Sequence, residues 1–311
     1  MILRLATRSS PLARWQAERV ASLLHEHGVE AVLVFVDTAG DRDVERPISE
    51  LGGQGVFVKE VQGAVLDGRA DAAVHSAKDL PSNPTLQPPG LVLASVPRRG
   101  DPRDALVGRR LDDLSPGAVV ATGSSRRRAQ LADLRPDLTF AELRGNIATR
   151  LGKVPPAGSI VVAMVALERL DLQASAAEVL ETEVLLPQVG QGALALECRA
   201  DDGATRAALM ALEHGPSRRA VDAERGYLAR LGGGCELPAA AHATVAPDGA
   251  LRLRVMLATF DGRQVLRLQV TGGAHDDPTE VGRAAGSALL DAGGGRFLLE
   301  GALDPLAPLP A

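Results

Sequence analysis

The chain has 311 residues, of which 45% are hydrophobic and 23% charged, the composition of a globular protein of two or three domains. Its net charge of −5 and aromatic content of 2% argue against a nucleic-acid-binding surface, which needs basic residues and stacked rings. No apolar run approaches the roughly 20 residues of a membrane-spanning helix. With two cysteines, no secretory signal and no zinc-ligand pattern, we expect a cytoplasmic protein without a metal site, and a monomer.

The first part of the chain predicts a strand–helix–strand unit with a parallel sheet. A strand over Ile2–Ala6 is followed by Ser10-Pro11, which are typical of a helix cap and a first helical position. A second strand over Ala31–Val36 follows that helix. Further along, the pattern predicts an amphipathic segment and two more strands, in the order Val56–Leu66, Asp71–Val74 and Leu91–Ser95. Residues 97–102 (PRRGDP) indicate a crossover linker.

A second α/β unit and a different C-terminal unit follow. The second unit has predicted strands at 118–122, 139–143, 160–163 and 193–199 and a helix at 126–134. After residue 215 a helix, an antiparallel strand pair and a last helix are predicted, at 218–231, 251–259 with 264–270, and 279–292. The sequence therefore predicts an α/β fold of two lobes plus a smaller α+β C-terminal domain. We expect domain 1 over 1–96 plus 193–212, domain 2 over 101–187 and domain 3 over 215–311.

Charged residues cluster where predicted strands end. Lys78 and Asp79 follow a strand, at the edge where open α/β sheets bind ligands, although on position alone a loop aspartate more often caps a local turn. The segment TGSSRRR (122–128) predicts an anion site at a helix N-terminus, formed by Ser124 and its arginines. Three adjacent arginines cannot share one helix face, so at least one should face solvent. The alternative is that these arginines form an ordinary solvent-exposed face of the helix and bind no ligand.

Further arginines and one cysteine complete the set of candidates. Arg8, Arg144 and Arg150 also lie near strand ends, which predicts a polyanionic ligand between the two lobes. Cys235 follows three glycines, a setting that suits an accessible nucleophile or covalent attachment point. A lone cysteine is more often a small buried hydrophobe, which is the expectation for Cys198.

Seven segments in chain order resemble the porphobilinogen deaminase (hydroxymethylbilane synthase) family. They are ATRSSPLA (6–13), GGQGVFVKE (52–60), DAAVHSAKDLP (71–81), DPRDALV (101–107), LRGNIATRL (143–151), VGQGALALECR (189–199) and GGGCELP (232–238). The resemblance implies two lobes similar to those of periplasmic binding proteins, and a third domain carrying the cysteine. It also implies a transferase of haem biosynthesis that joins four porphobilinogen units head to tail with loss of ammonia, then releases hydroxymethylbilane by hydrolysis.

The resemblance also assigns roles to residues. Asp79 would be the catalytic carboxylate and Cys235 would hold a dipyrromethane cofactor through a thioether. Cofactor side chains would be held by Lys78, Ser124, Arg126 and Arg127. The substrate or growing chain would be held by Arg8, Ser10, Arg144, Arg150, Arg169 and Gln191. The implied partners are porphobilinogen and a uroporphyrinogen-III synthase that receives the product.

Four positions depart from the family pattern. Glu50 and Gln54 stand where many members have lysines, Gly123 replaces a serine, and Ala166 stands where a glycine is usual. None of them removes the aspartate, the cysteine or the main arginines. The alternative function is a non-catalytic two-lobe module that binds a small anion, which would need neither the GGGC segment nor a third domain.

Overall fold

The computed structural model describes residues 1–38, 58–234, 236–291 and 294–303. Glu50, Gln54 and Cys235 lie outside the described residues. The chain divides into two compact units, which we call unit 1 (Met1–Gly100 with Gly192–Arg218) and unit 2 (Asp101–Gln191 with Arg219–Ala311).

The described elements are numbered in chain order. The strands are β1 (Ile2–Arg8), β2 (Glu30–Val36), β3 (Ala72–Ser76), β4 (Leu91–Ser95), β5 (Asp104–Gly108), β6 (Val119–Ala121), β7 (Thr139–Ala141), β8 (Ser159–Ala163), β9 (Glu178–Leu180), β10 (Leu194–Arg199), β11 (Ala239–Val245), β12 (Leu251–Ala258) and β13 (Val265–Gly272). The helices are α1 (Pro11–Glu26), α2 (Lys59–Leu66), α3 (Ser125–Leu134), α4 (Ile147–Leu151), α5 (Met164–Arg169), α6 (Gly203–Met210), α7 (Gly215–Leu231), α8 (Pro278–Asp291) and α9 (Gly295–Leu303).

Unit 1 contains a five-stranded sheet in the order β2-β1-β3-β10-β4. The strand β1 is parallel to both β2 and β3, whereas β10 is antiparallel to β3 and β4. Helix α1 starts at Pro11 with Ser10 as its cap, as its sequence predicts. Its apolar residues Ala17, Val20 and Leu24 follow helical spacing and are fully buried in the core beside the sheet.

Unit 2 contains a second five-stranded sheet with the same pattern, in the order β7-β6-β8-β5-β9. Here β6 is parallel to β7 and β8, and β5 is antiparallel to β8 and β9. In each sheet the antiparallel inner strand follows a point where the chain passes from one unit to the other. The sequence analysis did not predict the strand β5, which follows the linker at residues 97–102, because the short run DALV gives little periodic signal.

The C-terminal part of unit 2 is an antiparallel sheet in the order β11-β12-β13. Its core includes residues of α7 and α8, and the hydroxyl of Tyr227 donates to the Met256 carbonyl at 2.8 Å. The sequence analysis missed β11, whose alanine-rich sequence AAAHATV has low strand propensity. The predicted class, a mixed α/β fold with two sheet-rich lobes and a small antiparallel sheet, is confirmed.

The sheet topology determines where functional groups can gather. In unit 1 the carboxyl ends of β1 and β3 share one edge, and Leu194 at the start of β10 pairs with Ser76 there. In unit 2 the parallel strands β6, β7 and β8 end at one edge, and Asp104 at the start of β5 pairs with Ala163. These are the edges where α/β sheets bind ligands.

Candidate active site

A cavity of about 60 Å³ lies at the carboxyl edge of the unit 1 sheet. Arg8, Ser10 and Asp79 all line it, although they come from two separate segments of the chain. Arg8 is the last residue of β1, Ser10 caps α1, and Asp79 ends the short 3₁₀ turn after β3. The structure thus places a guanidinium, a hydroxyl and a carboxylate around one space. Such a space admits a reacting group, whereas pockets that enclose a whole ligand measure roughly 300–1,000 Å³.

Two cavity residues that the sequence analysis missed are Gln16 and His75. The Gln16 side chain donates to the Ser76 hydroxyl at 2.8 Å and fixes the strand end. His75 Nε2 lies 3.2 Å from Glu197 Oε2, and Gln62 donates to the same oxygen at 2.8 Å. Gln16 shows no chemical signal in the sequence, and His75 is indistinguishable there from a core histidine. Their role here is to hold the cavity wall in place.

Lys78 precedes Asp79 in the same 3₁₀ turn and is half-buried. Its place directly after β3 agrees with the expected strand-end position.

A second group of candidates surrounds Asp104 in unit 2. Asp104 is fully buried, and its Oδ2 accepts from Arg126 Nη2 at 2.9 Å. Its Oδ1 accepts from Arg127 Nη2 at 2.7 Å and from Gln191 Nε2 at 2.8 Å. Arg128 is exposed, as expected for one of three adjacent arginines on a helix. We call these four residues, Asp104, Arg126, Arg127 and Gln191, the Asp104 cluster.

The Asp104 cluster carries two cations and one anion, hence one net positive charge. Burial opposes the charge of the Asp104 carboxylate, but Arg127 and Arg126 outweigh it and hold its pKa well below the ordinary value. Burial lowers the pKa of Arg126. The Nε atoms of both arginines are buried without a hydrogen-bond partner among the described residues. This donor set suits an anionic ligand such as a carboxylate.

Local contacts at the start of α3 hold the segment TGSSRRR in place. Ser124 caps the helix, with its hydroxyl accepting from the Arg127 backbone N–H at 3.4 Å. A Cβ at Gly123 would lie 2.8 Å from the Leu143 carbonyl oxygen, so a side chain at this position would require the neighbouring backbone to shift. The Ser125 hydroxyl donates to the Glu236 carbonyl at 2.6 Å.

The remaining candidates also lie in unit 2. Arg150 on α4 is half-buried, and its Nε donates at 2.7 Å to the carbonyl of Gly145, the residue that follows Arg144. Arg144 is half-buried, and its carbonyl accepts from Lys153 at 3.2 Å. Arg169 ends α5 and is 8% exposed; burial lowers its pKa to about 10, so it is still a cation at neutral pH.

In the part of the chain that the structure describes, no cluster of three or more histidine, cysteine, aspartate or glutamate side chains could hold a metal ion. None of the helices described is long and apolar enough to cross a membrane.

Arg127→Leu should destabilise the apoprotein by about 1.5–3 kcal/mol, because Asp104 Oδ1 loses its charge-assisted hydrogen bond from Arg127. Asp104 would retain Arg126 and Gln191, so the buried carboxylate stays paired and the effect should lie at the lower end of this range. Arg128→Leu is the matched control on the same helix, and its exposed side chain should change stability by less than about 0.5 kcal/mol. Urea unfolding measures both. Equal effects of the two substitutions would contradict the buried ion cluster.

The stabilising effect of the Asp104 charge should depend on pH. Because the folded-state pKa lies below the ordinary value of 3.8, the unfolded chain binds more protons in acid. The contribution is therefore complete above about pH 5 and is lost as the pH falls below about 4. The difference in free energy of unfolding between wild type and Asp104→Asn should shrink over that interval. A difference that stays constant from pH 7 to pH 3 would contradict this expectation.

The geometry defines a class of protein: an α/β protein with cationic side chains at its strand ends, suited to an anionic ligand. Comparisons with known proteins are more specific. The family model described as "Porphobilinogen deaminase, dipyromethane cofactor binding domain" matches residues 3–207. The model described as "Porphobilinogen deaminase, C-terminal domain" matches residues 219–291.

Curated relatives match over nearly the whole chain. A porphobilinogen deaminase of Acidothermus cellulolyticus is 44% identical over 306 residues, covering 96% of this chain and 91% of the relative. One of Syntrophotalea carbinolica is 44% identical over 315 residues, covering 99% and 98%. The chain belongs to the porphobilinogen deaminase family, as its seven motifs predict. The non-catalytic binding module is not favoured, because both family models match.

Among solved structures, a periplasmic substrate-binding protein of an ABC transporter from Coxiella burnetii is similar. Its TM-score is 0.39 and its identity 14%, over 69% of this chain and 93% of that chain. A similarity at this level carries no argument about function.

Proposed function

We propose that this chain joins four porphobilinogen units head to tail on a dipyrromethane cofactor, with loss of ammonia at each step. Hydrolysis then releases hydroxymethylbilane, and the reaction class is that of a transferase. The observation that carries the proposal is the unit 1 cavity, which is lined by Arg8, Ser10 and Asp79. A cation and a hydroxyl suit a substrate carboxylate, and Asp79 offers a fixed negative charge beside them.

Asp79 has the central chemical role in this proposal. When ammonia leaves porphobilinogen, positive charge develops on the pyrrole that remains, and a preorganised carboxylate stabilises that charge. The same carboxylate can accept or return a proton during bond formation. The dipyrromethane, when bound, supplies the pyrrole carbon at which chain growth starts. His75 and Gln16 hold the walls of the cavity, so that Asp79 and Arg8 keep their positions.

The remaining site residues are proposed to hold carboxylates. Each pyrrole of substrate and cofactor carries an acetate and a propionate, for which guanidinium groups are well suited. In unit 1, Lys78 would contact the cofactor, and Arg8 and Ser10 the substrate. In unit 2, the cofactor contacts are proposed for Ser124, Arg126 and Arg127. The contacts to the growing chain are proposed for Arg144, Arg150, Arg169 and Gln191.

The Asp104 cluster fits the cofactor. Its net positive charge suits an anionic partner, and its two buried Nε donors have no hydrogen-bond partner among the described residues. The family model for the dipyrromethane domain spans this part of the chain. Cys235 is proposed as the attachment point. In support, its neighbour Glu236 accepts the hydrogen bond from Ser125, which directly precedes Arg126.

The proposal has consequences for organisation and setting. We propose three domains, 1–96 plus 193–212, 101–187 and 215–311; the separate antiparallel sheet of the C-terminal part supports the third. A cytoplasmic monomer is proposed on composition. The product is a linear tetrapyrrole, and we propose that it passes to a ring-closing uroporphyrinogen-III synthase.

The test is to incubate the purified protein with porphobilinogen and to follow ammonia release, tetrapyrrole formation and intact protein mass. The proposal predicts that the resting protein carries a covalent mass excess of two pyrrole units. During turnover, species with additional pyrrole units should form transiently. A protein that binds porphobilinogen with no mass excess and no ammonia release would favour the binding-module function instead.

A further inference from the structure

Asp104 has an environment that its sequence context did not indicate. The carboxylate is fully buried and accepts from three side chains, those of Arg126, Arg127 and Gln191. It lies at the start of β5, at the edge where β6, β7 and β8 end. A buried carboxylate with two guanidiniums on its two oxygens is a costly arrangement, which a stable fold does not need.

Each partner of Asp104 is also fixed at a second point. Arg126 Nη1 donates to the Leu186 carbonyl at 2.6 Å, and Arg127 Nη1 donates to the Val161 carbonyl at 3.0 Å. The Gln191 amide donates to the Pro102 carbonyl at 2.7 Å. With both ends held, the two guanidiniums have one defined geometry before any ligand binds, and Asp104 is the group they share.

Charge explains why this shared group matters. Two buried guanidiniums side by side repel each other strongly at low dielectric. The Asp104 carboxylate cancels one of the two charges and leaves one net positive charge. Without it the arginines would move apart, or one of them would turn towards solvent.

We propose that Asp104 is a positioning residue for cofactor capture: it holds Arg126 and Arg127 in the apoprotein as a preformed cationic pair for the cofactor's carboxylates. The inference rests on the proposed role of the two arginines. It adds a residue that does not itself touch the cofactor, and it assigns Gln191 as the third donor that fixes the orientation of the Asp104 carboxyl group.

A purely structural role for Asp104 makes a different prediction. In that case its loss lowers stability, so a smaller fraction of the protein is folded, but each folded molecule takes up the cofactor normally. If Asp104 positions the arginines, folded molecules themselves capture the cofactor poorly. Rate and concentration dependence therefore separate the two roles, whereas the final amount of modified protein does not.

The experiment uses full-length apoprotein made in a host that cannot synthesise porphobilinogen. Wild type, Asp104→Asn and Asp101→Asn are incubated with porphobilinogen at a temperature at which circular dichroism shows each to be folded. Gain of covalent mass is followed over time at several porphobilinogen concentrations. Asp101→Asn is the matched control, because Asp101 lies three residues away and pairs with Arg103 at 2.7 Å outside the Asp104 cluster.

We expect Asp104→Asn to gain mass roughly 10- to 100-fold more slowly, as for loss of a charge-assisted contact, with a raised half-saturating porphobilinogen concentration. Asp101→Asn should match wild type. Folded Asp104→Asn with the wild-type rate and half-saturation would overturn the inference, even if its amplitude is lower. Should Asp104→Asn not fold, Asp104→Glu keeps the charge but shifts the carboxylate by one methylene, and the same slowing is then required. Wild-type protein that gains no mass would instead refute the proposed function.

Discussion

Asp79→Asn is expected to carry its covalent cofactor and to lose at least about 10²–10³-fold in the rate of chain growth. The amide has nearly the size of the carboxylate, so the unit 1 cavity should keep its shape. Two capacities disappear: the negative charge that faces the developing cation, and the ability to accept a proton. Because Arg8 and Ser10 are unchanged, porphobilinogen should still bind, and enzyme–substrate complexes should accumulate.

Single-turnover mixing with porphobilinogen tests this expectation by ammonia release and by the mass of the covalent chain. Asp67→Asn is a suitable control in the same unit, since Asp67 is exposed and forms a surface ion pair with Arg69 at 3.3 Å. Wild-type chain growth in Asp79→Asn would rule out Asp79 as the catalytic carboxylate. A variant without cofactor would move Asp79 to a role in assembly.

Local patterns were sufficient to predict most of the fold. The Ser10-Pro11 cap, the apolar spacing of α1 and the strand at Leu91–Ser95 all appear in the structure as predicted. The elements that were missed have weak local signals. The strand β5 is five residues long and follows a proline-rich linker, and β11 is largely alanine. Such strands form because neighbouring strands supply their hydrogen bonds, which is a tertiary effect.

The sequence selected some residues of the candidate site and missed others. Ligands bind at the carboxyl ends of strands in open α/β sheets, and these ends can be located from the order of strands and helices in the sequence. This rule selected Asp79 and the arginines. The same rule did not select Asp104. It opens an antiparallel strand, so its carboxylate reaches the ligand edge from the amino end rather than the carboxyl end. The hydrogen bonds from Arg126 and Arg127 show that it lies beside these arginines.

The aspartates of the two units, Asp79 and Asp104, have different surroundings. In unit 1 a half-buried carboxylate lines an open space, where it can act on a substrate. In unit 2 the carboxylate is fully enclosed by its partners and can act only through them. Two aspartates at corresponding sheet edges thus have different surroundings, and for this reason we propose Asp79 for the chemistry and Asp104 for positioning.

Cys235→Ser is expected to abolish the stable covalent cofactor and with it nearly all turnover. A cysteine thiol is ionised to a few per cent near neutral pH, and its thiolate is a strong nucleophile, whereas a serine hydroxyl stays protonated without an adjacent base. Pyrroles derived from porphobilinogen could still bind noncovalently at the Asp104 cluster, but such complexes would dissociate under denaturing mass spectrometry. The chain has two cysteines, so Cys198→Ala provides the matched control: Cys198 is buried in β10 and should keep the mass excess. Intact mass of the two variants after exposure to porphobilinogen is the measurement. A full mass excess and normal turnover in Cys235→Ser, with loss of both in Cys198→Ala, would transfer the attachment point to the sheet of unit 1.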